Sequence, residues 1–171
     1  MTYPTSMKVR AENRESLQSQ SNCEISPYLR CMLIANTLSV TFMCGLHWFV
    51  QIVHYPLFNQ VGSAEFKGYH ASHSSRTTSV VLGPMTVDLI TSAWLVFKHP
   101  AGVGAALPTV GLILAVITWA STGLLQVPRH EELASGFNET AYRRLVSSSW
   151  VRTISWTAHA GICAAMLSAS A

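Results

Sequence analysis

The sequence predicts an all-α membrane protein: a four-transmembrane-helix antiparallel bundle with an amphipathic loop segment capping one end. Three observations carry that prediction. Of 171 residues, 49% are hydrophobic and only 11% charged, with a mean hydropathy of +0.29, whereas a soluble domain carries about 25% charged residues. Apolar stretches of roughly 20 residues, the length that crosses the hydrocarbon core, recur along the chain. The connections between them are long, short, then long, which sets which helix ends meet.

Taken in order, residues 1–29 are rich in Ser, Gln, Asn, Arg and Glu and read as a polar, mobile N-terminal extension. The first apolar run starts only after Arg30, and no cleavage site of a secretory signal stands out. Residues 30–171 form the expected membrane domain. Its spans run from about Met32 to His54, Ser79 to Phe97, Val103 to Gln126 and Trp150 to Ala169. Backbone groups in lipid must be satisfied within the segment, so each span is read as a helix. The short Lys98–Gly102 turn makes a hairpin of the second and third. Connections 55–78 and 127–149 then share one side of the bilayer, which brings His70, His73 and His130 to one face. Basic residues near the helix ends (Lys67, Arg76, Arg129, Arg143, Arg144 and Arg152 against Arg14, Arg30 and Lys98) place that face in the cytoplasm, if none of those arginines serves a site. Gly83, Gly102, Gly104 and Gly111 read as close-packing positions, and Pro84 and Pro108 as expected kinks.

Composition also excludes classes. A net charge of +3 with no Lys/Arg run gives no nucleic-acid surface. Four cysteines without a C-x-x-C pair give neither a zinc ribbon nor a disulfide framework. The absence of C-x-x-C-H rules out covalent haem.

Polar residues inside the spans are the functional signal, because such residues face a bundle interior or a wet cavity. His47, Gln51 and His54 are spaced i, i+4, i+7 and share one stripe, continued by Tyr55 and Pro56. Asp88 is the one carboxylate deep in a span and needs a partner, with Arg152 or a first-helix histidine as candidates. Gln126 to His130 gathers an amide, an arginine and an imidazole around Pro128. Arg152, Trp156 and His159 repeat the i, i+4, i+7 pattern. Each has a plainer reading. The stripes could be interhelical glue, Trp119 a packing aromatic, Trp150 an interfacial belt residue and Arg152 a snorkelling side chain. His47 is best read as packing.

The segment from Phe58 to Thr78 looks amphipathic, with Phe58, Val61, Phe66 and Tyr69 as anchors. His70 and His73, three apart, would be neighbours on a helix. With His54 and His130 they form a candidate metal set for zinc, copper or iron, since imidazole suits such ions. A di-iron centre fits poorly without inward Glu-x-x-His motifs. A haem between His47 or His54 and His159 is a further option.

The pattern Gln126-Val127-Pro128, then Leu133, then Trp150-x-Arg152-Thr153 resembles the small four-helix membrane family of unknown function that includes fungal anthrone oxygenases. The likeness spans residues 32–170. It implies a four-helix architecture and oxidative chemistry on an apolar substrate. His130 stands near where that family has an asparagine, and the family carries over no cofactor or catalytic set.

The first functional hypothesis is therefore a membrane-embedded oxidoreductase for a lipid-soluble or aromatic molecule. His54, Asp88 and His130 would handle protons, and Gln126 and Arg152 would hold a substrate oxygen. Gln51, Tyr55, Arg76, Trp119, Trp150 and Trp156 would wall the substrate. The alternatives are a carrier or metal-handling protein, perforce small and without an inverted repeat, and a structural assembly subunit. A homo-oligomer in the bilayer suits all three.

Overall fold

In the computed structural model, residues 26–100 and 102–170 are described. The expected N-terminal extension lies outside them apart from its last residues. Every regular element among the described residues is helical. Helix α1 is Pro27–Phe49, followed by a π-helical turn, Val50–His54, and a 3₁₀ turn, Tyr55–Gln60. Helix α2 is Phe66–Phe97 and α3 is Ala106–Ser121, continued by a second π-helical turn, Thr122–Gln126. A short α4, Val127–Ala134, leads to α5, Glu139–Ala169. The packed pairs are α1 with α2, α2 with α3, α3 with α5 and α5 with α1, so the four long helices close an antiparallel ring. Helix α4 lies against α2 and α5 at the end that carries both long connections.

The two π-helical turns share one cause. Proline lacks an N–H, and its ring collides with the carbonyl four residues back. Pro56 and Pro128 therefore cannot continue a regular helix past Ile52 and Leu124. The turn before each proline widens: Tyr55 N–H reaches the Val50 carbonyl, and Val127 N–H that of Thr122. Such single widened turns occur often at functional sites. Pro108 has no such effect. It falls in the first turn of α3, where an N–H would have lacked a partner, so it starts the helix instead of kinking it.

Two expected boundaries move. Helix α2 begins at Phe66 rather than Ser79, and α5 at Glu139 rather than Trp150. The amphipathic segment is thus no separate cap; from Phe66 on it is the first part of α2. Hydropathy is low on the N-terminal side of Ser79, but no breaker ends the helix there. At 32 residues and 1.5 Å per residue, α2 is about 48 Å long, against a hydrocarbon core of about 30 Å. The start of α5 is set by Asn138, whose side chain accepts the Ala141 N–H at 2.9 Å, and by Glu139 beside the positive helix end. At the opposite end, Gly102 turns α2 into α3 at φ 87°, where a Cβ would sit 2.8 Å from the Ala169 carbonyl oxygen.

Three helical stretches, Pro27–Gln60, Phe66–Phe97 and Ala106–Ala134, are long and apolar enough to cross a membrane. Helix α5 falls short in hydropathy because its inward face is polar: Ser149, Arg152, Thr153, Ser155 and His159 are all buried. The outer surface of the bundle is apolar, while its interior mixes apolar and polar side chains. Leu38, Phe42, Ile90, Trp94, Ile113 and Ile154 are exposed, while Asn36, Gln51, Asp88, Thr118 and Gln126 are buried. A water-soluble fold arranges these classes the other way.

Candidate functional site

The long-connection end gathers side chains from five elements. The first π-helical turn delivers His54, and Tyr55 follows it. The opening turns of α2 deliver His70, His73 and Thr77, spaced to share a face. Helix α4 contributes His130, re-aimed by the turn before Pro128, and α5 contributes Arg152. His54 Nε2 lies 2.8 Å from His73 Nδ1, and His70 Nε2 lies 3.0 Å from His130 Nδ1. The Thr77 hydroxyl is 3.2 Å from His73 Nδ1. His130 Nε2 is 3.5 Å from the Tyr55 hydroxyl, and Arg152 Nη2 donates to that same hydroxyl at 3.1 Å and to Ser149 Oγ at 3.3 Å. One polar chain thus runs from His70 through His130 and Tyr55 to Arg152.

Arg152 is the energetic anomaly. It is 9% exposed, its Nε has no hydrogen-bond partner, and among the described residues no carboxylate pairs with it. A buried charge without a counter-charge costs several kcal/mol. Gln126 is similar on the acceptor side. Its amide N–H donates to Ser148 Oγ at 3.0 Å, but its buried Oε1 has no partner.

His73 and His130 lie outside the Ser79–Phe97 and Val103–Gln126 apolar runs, in the polar ends of the longer helical stretches at the bundle mouth. Burial, then the neighbouring rings, pushes His73 down to about 4; burial, the other histidines and Arg152 push His130 down to about 3. Near neutral pH both are uncharged imidazoles, able to accept a proton.

Two open clefts flank the cluster. One, of about 580 Å³ between α1 and α2, takes in Phe49, His54, Tyr69 and Arg76. The other, of about 370 Å³, is lined by Tyr55, Gln126, His130 and Arg152, by Val81 and Val127, and at its edge by Glu131, which does not pair with Arg152. A small cavity of about 50 Å³ beneath touches His47, Tyr55, Met85 and Arg152.

Of the residues singled out from sequence, His54, Tyr55, His70, His73, Gln126, His130 and Arg152 meet here. Asp88 does not. Its partners are Asn36 and His159, in place of the expected Arg152 or first-helix histidine. Gln51 donates to the Val146 carbonyl at 3.2 Å, and Arg76 is exposed on the other cleft. Trp119 bonds the Met85 carbonyl, and Trp150 packs edge-on against Trp48 at the outer surface. Trp156 is buried, stacked with both His47 and His159. The helical phase explains α5: Trp150, Val151 and Ile154 point outward when Arg152 and Trp156 point in. Thr77, Ser148 and Ser149 belong to the site and were not picked out. Thr77 was findable as the i+4 neighbour of His73.

The four candidate metal ligands do come together, yet among the described residues no three metal-binding side chains are placed to hold one ion. The facing nitrogens pair off, His54 with His73 and His70 with His130. A haem on His159 does not fit, because a Cβ on Gly111 would already lie 3.0 Å from its Nε2. No family model, curated protein or solved structure matches the chain.

Proposed function

We propose that this chain is a four-span membrane enzyme, an oxidoreductase for a small lipid-soluble, aromatic molecule bearing an ionisable oxygen. The observation that carries the reading is Arg152: a buried cation with no carboxylate in ion-pair range among the described residues, lining a largely apolar cleft beside the imidazoles of His70, His73 and His130. The substrate supplies the missing anion. His130 takes its proton, Tyr55 relays between the imidazole and the guanidinium, and Arg152 holds the oxyanion formed. Gln126 Oε1 accepts a second donor on the substrate. The enolate or phenolate so produced is electron-rich. With dioxygen as the oxidant, a methylene becomes a carbonyl and one water leaves, so no electron donor is required. The likeness to the anthrone oxygenase family points to the same chemistry. The fourth span is supported by α5 itself, which closes the ring between α1 and α3 and turns Val151, Ile154 and Leu167 outward.

The test uses the full chain in lipid nanodiscs with an anthrone as probe. Saturable binding with dioxygen uptake, both lost in Arg152→Ala and uptake alone lost in His130→Ala, is the expected result. No binding and no uptake by the folded wild-type protein would contradict the reading.

A further inference from the structure

Near the middle of the Ser79–Phe97 apolar stretch the bundle buries a second polar group, which the proposed reaction does not use. Asp88 and His159 are 0% and 1% exposed. Asp88 Oδ1 accepts from Asn36 Nδ2 and from Ser92 Oγ, each at 3.0 Å. The same Asn36 nitrogen donates to Thr91 Oγ1 at 3.0 Å and Ser92 Oγ at 2.9 Å, and Cys163 Sγ donates to Asn36 Oδ1 at 3.3 Å. One half of the carboxyl is thus fully engaged and the other is not. Among the described residues, Asp88 Oδ2 and both ring nitrogens of His159 find no hydrogen-bond partner, although His159 Nδ1 lies 3.7 Å from Asp88 Oδ1.

A bare carboxylate beside a neutral imidazole leaves one net negative charge in a low-dielectric interior, the costliest arrangement open to the pair. One added proton cancels it, whether it sits on oxygen or on nitrogen. No other group competes. Helix α3 contains no titratable residue, and Asp88 is the one titratable residue of α2 between Arg76 and Lys98. Helix α1 presents Asn36, while its His47 stacks on Trp156 and its Cys44 sits against Thr157. Helix α5 presents Cys163 beside His159, with Arg152 about two turns away.

We propose that Asp88 and His159 form a proton-binding site in the membrane interior, sharing one proton and exchanging it with the long-connection face. The exchange route starts at the small cavity that His47, His73, Arg152 and Met85 line. Met85 is one helical turn from Asp88, and Trp156 stacks with His47 and with His159. In each transfer a neutral imidazole at the mouth takes a proton from bulk water, and that new N–H bond breaks as an O–H or N–H bond forms on the pair.

The chain offers a clean reporter, because Asp88 is its sole aspartate. Carboxyl-¹³C-aspartate labelling of the full chain in nanodiscs therefore gives one aspartate signal to titrate by isotope-edited infrared spectroscopy. A protonated or proton-sharing carboxyl at neutral pH is expected. Its midpoint should move by ~1 pH unit or more in His159→Phe and stay in place in His130→Ala. Met85→Trp, which fills the cavity, should slow the response to a pH jump without moving the midpoint. Should His159→Phe not fold, His159→Gln makes the same test. A signal of free carboxylate throughout, unchanged by either His159 variant, would overturn the proposal and leave the group as helix-pairing glue. The measurement needs no anthrone, so it stands or falls separately from the proposed enzyme activity.

Discussion

Arg152 and Tyr55 decide the site at the scale of single residues. Among the described residues, Tyr55 is the one partner of the guanidinium from another helical element, at 3.1 Å. Tyr55→Phe leaves a buried charged donor short of an acceptor, which costs on the order of 1–3 kcal/mol. A lowered melting temperature in nanodiscs checks this, and loss of anthrone oxidation should accompany it. The histidines make a second prediction. In the unfolded chain they take up protons near the ordinary value of 6.5, whereas His73 and His130 resist until about 4 and about 3. Between those values the unfolded chain binds more protons than the folded one. Stability from the cluster is therefore complete above pH 6.5 and lost as pH falls through 6 toward 4. Melting temperature against pH should show that decline, and His130→Gln should flatten it. The sequence showed the histidines but not their pairing, because His54 to His73 and His70 to His130 are contacts between elements. Asp88 misled for the same reason. Its partner Asn36 is an amide in an apolar run, with no neighbour in sequence to mark it.

The two proline-driven turns do the work at the scale of elements. Each widened turn inserts a residue into the helix and so rotates everything after it by about 100°. Pro128→Ala restores the missing N–H and lets α3 run regularly into α4. Stability should hold or rise slightly, while His130 turns away from His70 and Tyr55. Unchanged or higher melting temperature with at least tenfold weaker anthrone binding is the expected result; full binding would show that the turn is incidental. Helix existence was legible from the apolar runs, whereas helix ends were not. Phe66 to Thr78 and Glu139 to Ser149 read as polar connections, yet they lack an internal proline and continue α2 and α5 as helix.

For the whole molecule, alternation of long and short connections was enough to bring four helix ends and His54, His70, His73 and His130 to one end. It could not show that the interior divides into two polar centres, one at the mouth and one at mid-bundle. That division follows from helical phase across a closed ring: Arg152 and His159 are two turns apart on α5 and face different partners. The account's central claim is that the bundle holds an uncompensated cation for a ligand's oxyanion, and Arg152→Met tests it most directly. Replacing a buried, poorly compensated charge by an apolar side chain of similar size is neutral or stabilising by about 1–4 kcal/mol. The melting temperature of the empty variant in nanodiscs should therefore equal or exceed that of wild type, while saturable anthrone binding disappears. A variant that melts well below wild type yet still binds the anthrone would show that Arg152 serves the fold and not a ligand.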